Sequence, residues 1–125
     1  MRFINHILAT AIGLCLISGC ATTVPREMKL ADPHNRKAVD HPGKNLDSIR
    51  LACAETMLNA SPAIEATDIE VRVLSQTDPV IIEVDAELKD VGMFNQSLPV
   101  TYRCEYKEGS LALGTWTRGL KGGSK

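Results

Sequence analysis

The sequence predicts an α+β domain in which one amphipathic helix packs on a four-stranded antiparallel meander, after a signal segment and a flexible tether. Three observations predict it. Apolar residues recur at helical spacing over 46–60, the period changes to two in the runs that follow, and the stretch before residue 46 shows neither period.

The helix comes from LDSIRLACAETMLNA, which places Leu46, Ile49, Cys53, Met57 and Ala60 on one face and Asp47, Arg50 and Glu55 largely elsewhere. Asn45 is the expected N-cap. Ser61 and Pro62 end the helix, because proline inside a helix costs about 3 kcal/mol.

In IEVRVL, residues Ile69, Val71 and Val73 alternate with Glu70 and Arg72, the pattern of a strand with one buried face. After SQTDP, a polar turn closed by Pro79, VIIEVDAELK puts Val80, Ile82, Val84, Ala86 and Leu88 on one side and Glu83, Asp85, Glu87 and Lys89 on the other. These two strands are expected to form a hairpin. Beyond the loop DVGMFNQSLP, VTYRCEY sets Val100, Tyr102, Cys104 and Tyr106 inward and Thr101, Arg103 and Glu105 outward. KEGS supplies a tight turn with Gly109 available for a positive φ, and LALGTW returns as a shorter fourth strand. TRGLKGGSK is expected to be a frayed basic tail.

Ahead of the helix, Thr22 to Asn45 holds Pro25, Pro33, Pro42 and Gly43 among polar and charged residues, which predicts a tether without regular structure. It contains His34 and His41 near Asp32 and Asp40, but the spacing matches no zinc ligand pattern. Ordering a polar segment around an ion would also be entropically unfavourable. Neither a metal nor a cofactor is expected.

The chain opens with Arg2 in a short basic start, followed by an almost wholly apolar run from Ile4 to Leu16, and no acid precedes Glu27. That is the layout of a secretory signal, since a spanning helix needs about 20 apolar residues. At its end, Ile17, Ser18, Gly19 and Cys20 resemble the lipobox of bacterial lipoproteins. The resemblance implies cleavage between Gly19 and Cys20 and a diacylglycerol on the Cys20 thiol, usually with an acyl group on the new amino terminus. An ordinary cleaved signal and an uncleaved apolar helix are the alternatives. Ile17 argues against a conventional cut, which wants small residues at the last and third-last positions before it, although Ala9, Ala11 and Gly13 offer a poorer site upstream. Two or three lipid chains make attachment effectively permanent, whereas one chain holds reversibly. The residue after the cysteine is Ala21 and not the aspartate that retains such products in the inner membrane. By that resemblance the expected address is the periplasmic face of an outer membrane, with the N-terminal lipid as the membrane contact.

The expected organisation is therefore a signal over 1–19, a lipidated tether over 20–45, one small domain over 46–117 and a tail over 118–125. Loss of Arg2 takes the 14 basic residues to 13 against 15 acidic ones, which gives no electrostatic case for a nucleic-acid partner. The domain is small and only 4% of the full chain is aromatic, so its core is thin, and such domains often carry a covalent staple. With Cys15 removed in the signal and Cys20 lipidated, Cys53 and Cys104 remain, both on inward faces and both in an oxidising compartment. We expect them to be joined; two buried free thiols are the alternative. No histidine follows His41 to serve a catalytic thiol as its base.

Two further constellations bear on function. Glu83, Asp85 and Glu87 form an acidic stripe that could hold a cation or a basic partner, but a solvated face paired with Arg72 or Arg103 is the expected arrangement. YRCEYKEGSLALGTW, Tyr102 to Trp116, resembles at its start the tyrosine, cysteine and glycine motif of periplasmic C-type lysozyme inhibitors. That family's barrel continues for more strands than the residues after Cys104 supply. The whole layout is similar to small uncharacterised bacterial lipoproteins with an early helix cysteine, several strands and a late aromatic, cysteine and glycine segment. The resemblance implies a fold more than an activity.

The expected function is a non-enzymatic accessory or binding protein of the envelope, with an envelope protein as partner. The alternative is an inhibitor of a cell-wall hydrolase such as lysozyme. An enzyme is not expected, because no pairing of nucleophile and base, metal set or phosphate loop occurs. An accessory should expose an apolar patch, on a sheet edge or around Met93, Phe94 and Trp116.

Overall fold

The computed structural model describes residues 23–121. Its elements, in chain order, are β1 (Met28–Lys29), α1 (Leu46–Ala60), β2 (Glu65–Ser75), β3 (Val80–Val91), β4 (Gln96–Lys107) and β5 (Ser110–Arg118). The class is α+β, but the sheet has five strands and not the expected four, in the order β1-β2-β3-β4-β5. Every neighbouring pair is antiparallel.

The fifth strand is β1, which lies within the segment expected to be a tether. Met28 pairs with Ala66 and Lys29 with Glu65, and the Ile69 N–H donates to the Arg26 carbonyl beyond them. Two residues are too few to show a period, so the strand has no signature in the sequence.

Alternation along β3 sets the core. Ile82, Val84, Ala86 and Leu88 are buried on one face, and Val100, Tyr102, Cys104 and Tyr106 of β4 bury on the same side through the register Val84 to Tyr102 and Ile82 to Cys104. Helix α1 closes this face with Ile49, Ala52, Cys53 and Met57. The Asn45 side chain accepts from the Ser48 N–H at 3.1 Å, as an N-cap does, and Ser61 ends the helix by donating both its N–H and its Oγ to the Leu58 carbonyl.

The helix is buried more widely than its amphipathic face predicts. Leu58 and Ala54 are fully buried too, and Leu58 lies about 140° around the helix from Cys53. Residues 26–43 provide the cover. Leu30 N–H donates to the Ile64 carbonyl, Arg36 Nη1 to the Ser61 carbonyl at 2.6 Å, Lys37 N–H to Asn59 Oδ1 and Val39 N–H to Thr56 Oγ1. Leu111 N–H then donates to the Asp40 carbonyl at 2.7 Å, and Gly43 N–H to the Gly109 carbonyl. The segment is a strap that runs from the β2 edge, past the C-terminal half of α1, to the β4–β5 turn. Val24, Met28, Leu30, Ala38 and Val39 pack against the core along it.

The β4–β5 turn consists of Glu108 and Gly109, both at positive φ (52° and 80°), the two-residue geometry whose twist suits a hairpin. Gly109 is required twice over, since a Cβ there would also sit 2.9 Å from the Gly43 carbonyl carbon. At the other end, β5 runs to Arg118, and Leu120 still packs against the core. Among the described residues no helix is long and apolar enough to cross a membrane.

Candidate functional site

Ile17, Ser18, Gly19 and Cys20, the expected lipidation sequence, lie outside the described residues, as does Cys15. The described chain begins at Thr23, and by Arg26 it is already hydrogen-bonded to β2.

Cys53 and Cys104 are joined, with Cα atoms 5.9 Å apart and both side chains fully buried between α1 and β4. Around the bridge, Tyr102 meets Trp116 edge to face with ring centroids 4.6 Å apart. Both tyrosines of β4 are fully buried, and removal from water pushes the Tyr102 phenol up to about 12. Burial raises Tyr106 as well, with the neighbouring Thr56 hydroxyl acting partly against it. The motif from Tyr102 to Gly109 is thus accounted for by the core and by one turn. Trp116 is only 9% exposed, so the expected apolar patch does not include it.

The face of the sheet away from the helix carries the acidic stripe. Arg72 of β2 reaches Glu83 at 2.6 Å and also pairs with Asp85; Arg103 of β4 reaches Glu83 at 3.2 Å. Thr101 Oγ1 donates to Asp85 at 2.6 Å and receives Arg118 Nε in turn. The Arg72 hydrogen bond is the main cause that holds the Glu83 and Asp85 carboxyls below their usual range, against the opposing effect of burial. Cross-strand register produces this ladder, because Arg72, Glu83 and Arg103 stand opposite one another. Glu83 and Asp85 are engaged by arginines, so two of the stripe's three carboxylates are taken up in an ion-pair network, with Glu87 outside it.

Of the two described histidines, His41 places Nδ1 3.0 Å from Ser110 Oγ, and His34 donates its backbone N–H to Asp32 Oδ1. Among the described residues no group of three or more His, Cys, Asp and Glu is placed to hold a metal ion. A groove of 330 Å³ lies between strap and helix, lined by Met28, Leu30, Val39 and Leu58 with Lys37 and Glu55 beside them. Burial raises the Glu55 carboxyl.

One surface feature stands apart from this well-packed fold. The β3–β4 hairpin turns through Gly92 and Asn95 and holds Met93 and Phe94 at its tip, 91% and 80% exposed. Ile64, also exposed, borders Lys89 and Asp90 at the same end of the molecule. The loop DVGMFNQSLP was legible as a loop; its apolar pair at an extreme tip depends on the hairpin's length, which the alternation did not reveal beyond Lys89. No protein-family model, curated protein or solved structure matches this chain.

Proposed function

We propose that the chain is a lipid-anchored protein of the bacterial envelope, facing the periplasm from the outer membrane, and that it acts as a non-enzymatic binding or accessory protein. The observation that carries this reading is the sequence Ile17-Ser18-Gly19-Cys20, placed immediately before a small disulfide-stapled domain. The domain's chemistry supports it in two ways. Glu83 and Asp85 are neutralised by arginines in an ion-pair ladder, and the two most exposed apolar side chains, Met93 and Phe94, sit together at one hairpin tip, whereas Leu74 and Leu113 are half exposed and apart from it. An apolar tip on a small soluble fold is the mark of a contact surface.

Metabolic labelling with palmitate tests the anchor. Wild-type protein should incorporate label and fractionate with membranes, whereas Cys20→Ser should accumulate as an unlabelled precursor; equal labelling of both would refute the assignment. The inhibitor alternative is tested separately by adding the full-length protein, in detergent, to lysozyme. Unchanged lysozyme activity is the expected outcome, and stoichiometric inhibition would replace the accessory reading.

A further inference from the structure

The strap changes what the lipid can do. Between Cys20 and Thr23 only Ala21 and Thr22 intervene, so three peptide steps of at most about 3.6 Å each, roughly 11 Å in all, separate the anchored residue from the fold. A tether ending at Asn45 would have allowed the domain to tumble far from the bilayer; this leash does not.

The leash also has a direction. β1 runs antiparallel to β2, so the chain traced back toward Thr23 heads along β2 toward Ser75 and away from the β3–β4 tip. Arg26 bonds Ile69, which is level with the Glu87 to Asp85 portion of β3. From Asp85 to Val91 is about 20 Å of strand, and the tip lies beyond it. The end carrying Thr77, Asp78 and Glu108 is therefore the one turned to the lipid, and the end carrying Ile64, Met93 and Phe94 is turned away.

We propose that the Met93–Phe94 tip is the partner-binding element of this protein, held on the side away from the anchoring bilayer, and that it enters an apolar pocket on an envelope protein. The proposal rests on lipidation at Cys20. A protein pocket fits the tip better than a lipid surface does. The exposed carboxylate of Asp90 stands at the tip's base, and the surface beside it balances Lys29 and Lys89, the latter donating to Ser97, with Glu65 and Asp90, so it carries no excess of positive charge. Membrane-binding surfaces instead surround their apolar residues with unpaired lysine and arginine. Asp90 further implies a basic group on the rim of the partner's pocket.

The test uses the full-length lipidated protein in phosphatidylethanolamine–phosphatidylglycerol vesicles containing brominated lipid, with a fluorescent label at F94C or at T77C. The label at 77 should be quenched and the label at 94 should not; quenching at 94 overturns the orientation. In cells, a photo-crosslinker at position 94 should give a discrete protein adduct that one at 77 does not, and M93S should lower its yield about tenfold. Lipid adducts at 94, or a yield unchanged by M93S, overturn the proposed partner. Palmitate incorporation, measured on the same samples, separates the two levels. Without it the anchor itself fails, whereas a lipidated protein quenched at 94 refutes the tip proposal alone.

Discussion

Cys53 and Cys104 close a loop of 51 residues between helix and sheet, which chain entropy translates into roughly 4 kcal/mol of stability. Changing both to alanine should lower the denaturation free energy by about that amount, and urea titration of the unreduced and double-mutant proteins measures it. Tyr102 supplies a second test at single-residue scale. Its folded value of about 12 lies above the ordinary 10.0, so its contribution is fully present below pH 10 and is lost as pH rises toward 12. Alkaline unfolding should therefore coincide with the appearance of tyrosinate absorbance; tyrosinate forming well before loss of structure would contradict the burial. Glu83 and Asp85 give the opposite sign. Held below their usual 4.5 and 3.8 by Arg72, they contribute stability above those values that is lost as pH falls through and below them. Arg72→Ala should leave a fold that is less stable at neutral pH and loses less on acidification.

Among the elements, the strap is the one whose role differs most from expectation. If residues 26–43 are held as described, the amide hydrogens of Leu30, Val39, Gly43 and Leu111 exchange slowly, whereas a free tether would exchange at the rate of an unfolded chain. Thr56→Val keeps the shape of the side chain but removes the acceptor for Val39 N–H, and should cost roughly 1–2 kcal/mol. Gly109→Ala should cost a similar amount through positive φ and the contact with Gly43. The helix, its cap at Asn45 and the strands β2 to β5 were legible because each repeats its period over several turns or pairs. The strap was not, because Met28, Leu30, Ala38 and Val39 each meet a different element, so their spacing follows the contour of the fold and no helical or strand period. Leu58 shows the same limit from the other side, its burial depending on Met28, Leu30 and Val39, far upstream of it in the chain. The pairing of Cys53 with Cys104 was legible by contrast, since the helix period and the strand period each turn one of these two cysteines toward the same core.

At the scale of the whole molecule, the sheet's two edges are both blunted by one segment. Residues 26–30 cover the start of β2, and Asp40 accepts from Leu111 at the start of β5, which limits edge-to-edge association. The molecule is thereby a stapled, strapped unit whose two most exposed apolar side chains, Met93 and Phe94, share one hairpin tip. Met93→Ser combined with Phe94→Ser should change stability by less than about 0.5 kcal/mol, as exposed positions do, so any loss of partner contact in that variant reports binding and not folding. The most direct test of the account is the intact mass of the unreduced protein extracted from membranes. It should correspond to a chain that begins at Cys20, carries a diacylglycerol and an N-acyl group, and lacks the two hydrogens of a Cys53–Cys104 bond. A mass beginning at any other residue, or at Cys20 without lipid, would contradict the claim that this protein is held in the envelope by its first residue.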